Sequence, residues 1–242
     1  MTTNVAILDV SKVKYTSPGR EALRRLFHHR SAIVGMVILG ILLILAIFAE
    51  QIAPYDPTKI LRDVDRRAVP CIHLLGCPED QPQHLFGIDG NSRDLLSRVI
   101  FGSRLSLQVG LSTVGFAIII GGVIGAIAGF VGGWIDDALM RIMDVLMAFP
   151  SLLLAIAIVS FLGTGLINAL LAIGIVSIPR FARLVRSTVI SVKELEYITA
   201  ARSIGARQGR ILFGHIIPNS LTPLIVQATL GIATAILDAA AL

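Results

Sequence analysis

LSLQVGLSTVGFAIIIGGVIGAIAGFVGGWI, residues 105–135, holds no charged side chain in 31 consecutive positions. At about 1.5 Å per helical residue, such a run exceeds the roughly 30 Å hydrocarbon core of a bilayer and reads as a membrane span. Three further uncharged runs, 31–49, 145–179 and 211–237, lie on either side of it. The composition agrees: 55% of the 242 residues are hydrophobic and 15% charged, with a mean hydropathy of +0.80, whereas a soluble domain carries about a quarter charged residues. A disordered chain and a nucleic-acid binder are thereby set aside. The net charge of +5 reads as Lys and Arg flanking spans rather than as a surface for an acidic partner.

Working outward, residues 31–49 form a first span, preceded from Lys12 to Arg30 by six basic residues against the single Glu21. The positive-inside rule therefore places segment 1–30 in the cytoplasm. No signal peptide is expected, because about thirty polar and basic residues precede the first apolar run. Residues 50–104 carry seven Lys or Arg and eight Asp or Glu and read as an extracytoplasmic loop. A second span covers 105–135, a third runs from Ala138 to Leu162, and Gly163-Thr164-Gly165 breaks the chain before a fourth that starts at Ile167. Arg180 to His215 is basic again and so cytoplasmic, in agreement with the span count. A fifth span runs from about Thr222, and the chain is still apolar at Leu242, which leads us to expect a further span beyond it. The fold class is thus an all-α polytopic membrane protein with five transmembrane helices visible, and residues 105–242 form its main membrane domain.

Gly121, Gly125, Gly129 and Gly133 recur at four-residue spacing and predict a helix face stripped of side chains for close packing. Between the fourth and fifth spans, Glu194–Ile204 reads as a short helix, Gly205 as its left-handed cap, and Arg207–Ile217 as a second helix closed by Pro218. The small residues Thr199, Ala200 and Ala201 would let the first helix settle into a groove of another protein. A DNA-binding helix-turn-helix is the rival, a poor one because the segment is tethered between spans and has few base-reading side chains.

The stretch Thr199-Ala200-Ala201-Arg202-Ser203-Ile204-Gly205, with Pro218 thirteen residues after Gly205, resembles the EAA signature, E-A-A-x3-G-x9-I-x-L-P, of ABC-transporter permeases. Thr199, His215 and Ile217 depart from it. A second block, His84-Leu85-Phe86-Gly87-Ile88-Asp89-Gly90-Asn91-Ser92-Arg93-Asp94-Leu95-Leu96-Ser97-Arg98, resembles the H-L-x-G-T-D-x-x-G-R-D-x-x-S-R pattern of the dipeptide/oligopeptide/nickel permeases. Ala53-Pro54-Tyr55-Asp56-Pro57 and Arg141-Ile142-Met143-Asp144 extend the likeness over nearly the whole chain, to the second-type, C-like subunit.

The resemblance implies a non-catalytic permease subunit of six spans in a bacterial or archaeal inner membrane, C-terminally truncated here. Its expected partners are a homologous second permease, two cytoplasmic ATPases and an extracytoplasmic solute-binding protein, and its expected cargo is a di- or oligopeptide, nickel or a related small solute. The family's coupling helix maps to Thr199, Ala200, Ala201 and Gly205, with Pro218 behind it. No cofactor is expected in this chain; ATP and Mg would be bound by the partner ATPases, since no G-x-x-x-x-G-K-[ST] occurs in the sequence.

Arg141 and Asp144, three apart, are a candidate ion pair, and Gln227 and Asp238 are candidate pathway residues in the fifth span. Cys71 and Cys77 are a candidate disulfide, the alternative being a metal site with His73 and His84; no metal is assigned. An ion-coupled secondary transporter and an intramembrane enzyme are the remaining function classes. The first leaves the interspan helix-turn-helix without a role, and the second lacks a convergent nucleophile and base.

Overall fold

The computed structural model describes residues 27–61, 64–78 and 80–242; the basic stretch before Phe27 lies outside them. Its helices are α1 Arg30–Ile47, α2 Ala49–Ile52, α3 Leu95–Val131, α4 Gly133–Met147, α5 Ser151–Leu162, α6 Leu166–Lys193, α7 Glu196–Ser203, α8 Gln208–Ile211 and α9 Ile217–Ala241. A π-helical segment, Leu212–Ile216, joins α8 to α9. Among the described residues the only β pairing consists of two isolated bridges, Cys71 with His84 and Ile88 with Asp94. Four helical stretches are long and apolar enough to cross a membrane, and α4 with α5 makes a fifth if that bent pair is one span. The chain divides into two compact units, Met1–Ser103 and Arg104–Leu242.

In the first unit, α1 is a uniformly apolar rod with side chains exposed all around, as a helix facing lipid should be. The rest is a polar segment folded against the start of α3. This helix begins at Leu95 rather than at the expected Leu105, because Asp94 caps it: the Asp94 carboxylate accepts the Ser97 N–H at 2.8 Å and the Ser97 hydroxyl at 2.7 Å. Its 37 residues come to roughly 55 Å, well beyond a bilayer core.

In the second unit α6 is the central helix, packed by α3, α4, α5 and α9. Ile173, Ile178, Phe181 and Ala182 of α6 form one buried cluster with Val114 and Ala117 of α3, Met143 of α4 and Ala235 of α9. The glycine stripe is what brings α3 onto α6. A Cβ at Gly121 would stand 2.7 Å from the Ile178 carbonyl oxygen, one at Gly129 2.8 Å from that of Arg186, and one at Gly125 closer still to that of Ala182. Gly133 does not join them: α3 ends at Val131, and Gly133 turns the chain into α4 at φ 59° with no other segment within 4 Å of an added Cβ. The four-residue spacing outruns the helix that gives it meaning.

Of the later spans, the third and fifth differ from expectation, and the fourth takes the longer course that its short apolar run allowed. The third span is two helices bent by 91°, because Pro150 supplies no N–H to the turn and pushes Phe149 out of helical geometry. The fourth span continues past Arg180 and Arg183 to Lys193, whose Nζ donates to the Phe130 carbonyl at the end of α3 at 2.9 Å. Pro218 closes nothing: it sits in the first turn of α9, where a missing N–H is harmless, and helix runs from Gln208 to Ala241.

Candidate functional site

The turn between α6 and α9 presents the residues of the EAA-like stretch. Ile198 on α7 is fully buried among Val185, Val189 and Val192 of α6, Ile211 of α8 and Ile216 of the π segment. The opposite face of α7 is open, with Thr199 and Ala200 exposed; one turn on from Ile198, Arg202 is exposed as well and Ala201 half-buried. Tyr197 and Ile204 leave large apolar surface uncovered beside it, Ile204 at 86% exposure. The helix closes in a Schellman motif: the Gly205 N–H donates to the Arg202 carbonyl at 2.9 Å and the Ala206 N–H to that of Ala201 at 3.1 Å, with Gly205 at φ 80°. Asn219, at the start of α9, donates through Nδ2 to the Tyr197 hydroxyl at 3.1 Å and to the His215 carbonyl at 2.6 Å. The His215 ring meets the Tyr197 ring edge-on at 6.1 Å. Tyr197, His215 and Asn219 thus tie α7 to α9. The sequence reading missed this clasp, although polar side chains flanking an otherwise apolar helix start were a signal for it.

A second constellation lies where α4, α6 and α9 border an open cleft of ≈ 670 Å³, lined by Arg180, Arg183 and Arg186 of α6, Asp144 and the methionines Met140 and Met147 of α4, and Gln227 of α9. Asp144 pairs with Arg183 at 2.5 Å, not with Arg141, which lies exposed. The local i, i+3 partner loses because α6 brings a guanidinium from 39 positions away. Arg186 holds Asp136 with both ends of its fork, at 2.5 and 2.6 Å. Gln227 faces this cleft, whereas Asp238 lies three turns further along α9 and does not line it. The two candidate pathway residues are therefore not brought together.

The segment between α2 and α3 gathers the residues of the His84–Arg98 block. His84 is buried and its Nδ1 meets the Asp94 carboxylate at 2.9 Å. The Tyr55 ring lies over His84 at 4.8 Å, and the Ser97 hydroxyl oxygen accepts the Tyr55 N–H at 3.1 Å. Asp89 accepts the N–H groups of Asn91 and Arg93 at 2.8 and 2.9 Å and pairs with Arg98. Burial opposes ionisation of Asp94, but the Ser97 hydroxyl and N–H and then His84 outweigh it and hold the carboxyl below the ordinary range. Burial, and then the Asp94 charge, push the Tyr55 phenol up. The sulfurs of Cys71 and Cys77 are joined to each other, which removes both thiolates from any metal site with His73 and His84. His73 instead engages the Gln81 carbonyl at 2.9 Å.

Comparison with known proteins gives the same partition. Residues 121–242 match the model for the binding-protein-dependent transport system inner membrane component, and residues 17–70 match that for the N-terminal TM domain of oligopeptide transport permease C. The chain is 50% identical over 228 residues to a dipeptide transport system permease protein of Alkalihalophilus pseudofirmus, covering 93% of this chain and 71% of that protein. It is 45% identical to a di/tripeptide transport system permease protein of Pseudomonas aeruginosa, over 94% of this chain and 74% of the relative. A glutathione transport system permease protein of Pectobacterium atrosepticum is 39% identical, with 93% and 72% covered. Matched over half its length by the first model and over most of its length by these permeases, the chain belongs to the family of binding-protein-dependent transport system inner membrane components.

Proposed function

We propose that the chain is the second-type permease subunit of an ATP-driven importer of di- and oligopeptides, forming half of the translocation channel in a bacterial or archaeal inner membrane with its N-terminus in the cytoplasm. The peptide class is supported by the relatives, permeases of dipeptide, di/tripeptide and glutathione systems. The partners are a homologous permease, two cytoplasmic ATPases that bind ATP and Mg, and an extracytoplasmic binding protein.

One observation carries the coupling role. α7 is anchored on one face by Ile198 and left uncovered on the other, where Thr199 and Ala200 stand exposed. A helix fixed to α6 and α9 on its inner side, and docked to an ATPase on its outer side, moves both spans when the ATPases close.

The experiment is affinity purification of the chain from detergent-solubilised membranes, in parallel with an Ala200→Glu variant, together with uptake assays in vesicles. ATPase subunits should accompany the parent and be lost with the variant, and uptake should stop when ATP is removed. Uptake that survives ATP depletion and collapses with an ionophore would replace this reading with an ion-coupled secondary transporter.

A further inference from the structure

The arginines of α6 are not equally satisfied. Arg186 is neutralised by Asp136 and Arg183 by Asp144. Arg180, exposed in the same cleft, has no carboxylate partner among the described residues. A guanidinium with no carboxylate beside it is left open to an anion, and its planar fork matches a carboxylate. The rest of the lining narrows the choice. Met140 and Met147 are unbranched, polarisable side chains that adapt to ligands of varied shape, and Gln227 adds one neutral hydrogen-bonding group from α9. The volume, ≈ 670 Å³, lies in the range of small-molecule sites, about 300–1,000 Å³. The site therefore offers a fixed cation, an adaptable apolar wall and a neutral polar group.

We infer that this cleft is a peptide subsite on the translocation route, in which Arg180 receives the C-terminal carboxylate of the transported peptide while its side chains rest against Met140 and Met147. The chemistry suits a carrier of many sequences, since every linear peptide ends in the same carboxylate whatever its side chains. Asp144 keeps Arg183 occupied, so that a single guanidinium reads the terminus; a guanidinium forks onto a carboxylate with two parallel hydrogen bonds. The inference rests on the peptide-importer reading and adds to it where in this chain the cargo is held.

The test uses the assembled transporter, with the partner permease, the ATPases and the binding protein, in inside-out vesicles. Ser187 lines the same cleft and is exposed, so Ser187→Cys places a reporter thiol there; the native cysteines of this chain are bonded to each other. Its rate of alkylation is measured with a dipeptide, with the same dipeptide as its C-terminal amide, and with neither. The free acid should slow labelling roughly tenfold relative to the amide, the size expected from one charge-assisted hydrogen-bonded contact. Arg180→Gln in the reporter background should abolish that difference and Arg180→Lys should keep part of it, with co-purification of the partner permease verifying that each variant assembles. Equal protection by acid and amide, no protection by either, or protection that survives Arg180→Gln would overturn the inference. ATP-driven release of dipeptide preloaded with the binding protein in the lumen of the same vesicles separates the two readings: release without carboxylate-selective protection removes this subsite alone, and no release removes the importer reading.

Discussion

Asn219 and Tyr197 are 22 residues apart in sequence, and the Asn219 amide donates to the Tyr197 hydroxyl at 3.1 Å, joining the first turn of α9 to α7. The bond crosses the turn that, in the proposed function, conveys ATPase closure. It lies on the surface, beside the buried Ile198 that anchors the same helix, so it serves to hold the angle of α7 rather than to keep it folded.

Removing the clasp should accordingly uncouple rather than unfold. Tyr197→Phe and Asn219→Ala are each expected to cost about 1 kcal/mol in local stability, and the double variant should cost less than the sum of the two. Both should leave the ATPases bound while lowering transport per ATP hydrolysed. The check is the uptake-to-hydrolysis ratio in vesicles; an unchanged ratio in the double variant would refute the coupling role.

Gly205 is required for its backbone angle and not for space. It has φ 80° and nothing stands within 4 Å of an added Cβ. Gly205→Ala should then cost about 1–2 kcal/mol through left-handed strain, and Gly205→Asn clearly less, because Asn tolerates that region. Hydrogen exchange at the Gly205 and Ala206 amides, which close the Schellman motif, distinguishes the two variants. Equal loosening by Ala and Asn would mean that crowding, not conformation, selects glycine.

The stripe on α3 gives a paired comparison between two glycines three positions apart. An added methyl at Gly125 would run into the Ala182 carbonyl, whereas Gly122 has nothing within 4 Å. Gly125→Ala should cost about 1–3 kcal/mol by forcing α3 from α6, and Gly122→Ala should be neutral or slightly stabilising. Thermal denaturation in detergent measures both, and similar midpoints for the two would contradict the packing.

Ser92 stands at φ 57°, in the position where the permease pattern carries its second glycine. Ser92→Gly should relieve left-handed strain and stabilise the segment before α3 by about 1 kcal/mol, read as slower exchange of the Leu61 amide, which donates to the Ser92 carbonyl at 2.8 Å.

The same segment has a defined acid limit. The Asp94 and Asp89 carboxyls are both held below their ordinary value. A carboxylate whose pKa falls on folding stabilises the fold above its unfolded value, about 3.9, and that contribution is lost only as pH falls through the lower folded value. Acidification from neutrality to about pH 5 should leave the Asp94–Ser97 cap closed, and opening should begin below pH 4. Asp94→Ala should open it at neutral pH, since it strands the Ser97 N–H and His84 at a cost of about 1–3 kcal/mol. Protection of the Ser97 amide reports each case.

Much of this molecule is legible in its sequence because the bilayer acts on single residues. An uncharged run long enough to cross the core is a span whatever its neighbours, and the runs at 31–49 and 105–135 fall within or overlap α1 and α3. Glycine spacing likewise announced a close helix contact at Gly121, Gly125 and Gly129. Periodicity names a face and not what lies against it, so α6 as the partner came only from the folded chain. The same limit explains Gly133, which shares the spacing but falls beyond the end of the helix, and Asp144, whose partner was sought three residues away at Arg141 and stands on α6 at Arg183.

By itself, then, the sequence determined the membrane class, the positions of most spans, the short helix-turn-helix with its glycine cap, and the family pattern, because each depends on hydropathy or on backbone chemistry within a few residues. Tertiary structure decided which helix receives the glycine stripe, how Pro150 bends the third span, which carboxylate answers each arginine, and which guanidinium is left over. Those outcomes depend on distances between segments far apart in the chain, set by the joint packing of α3, α4, α5 and α9 around α6, and no local pattern encodes them.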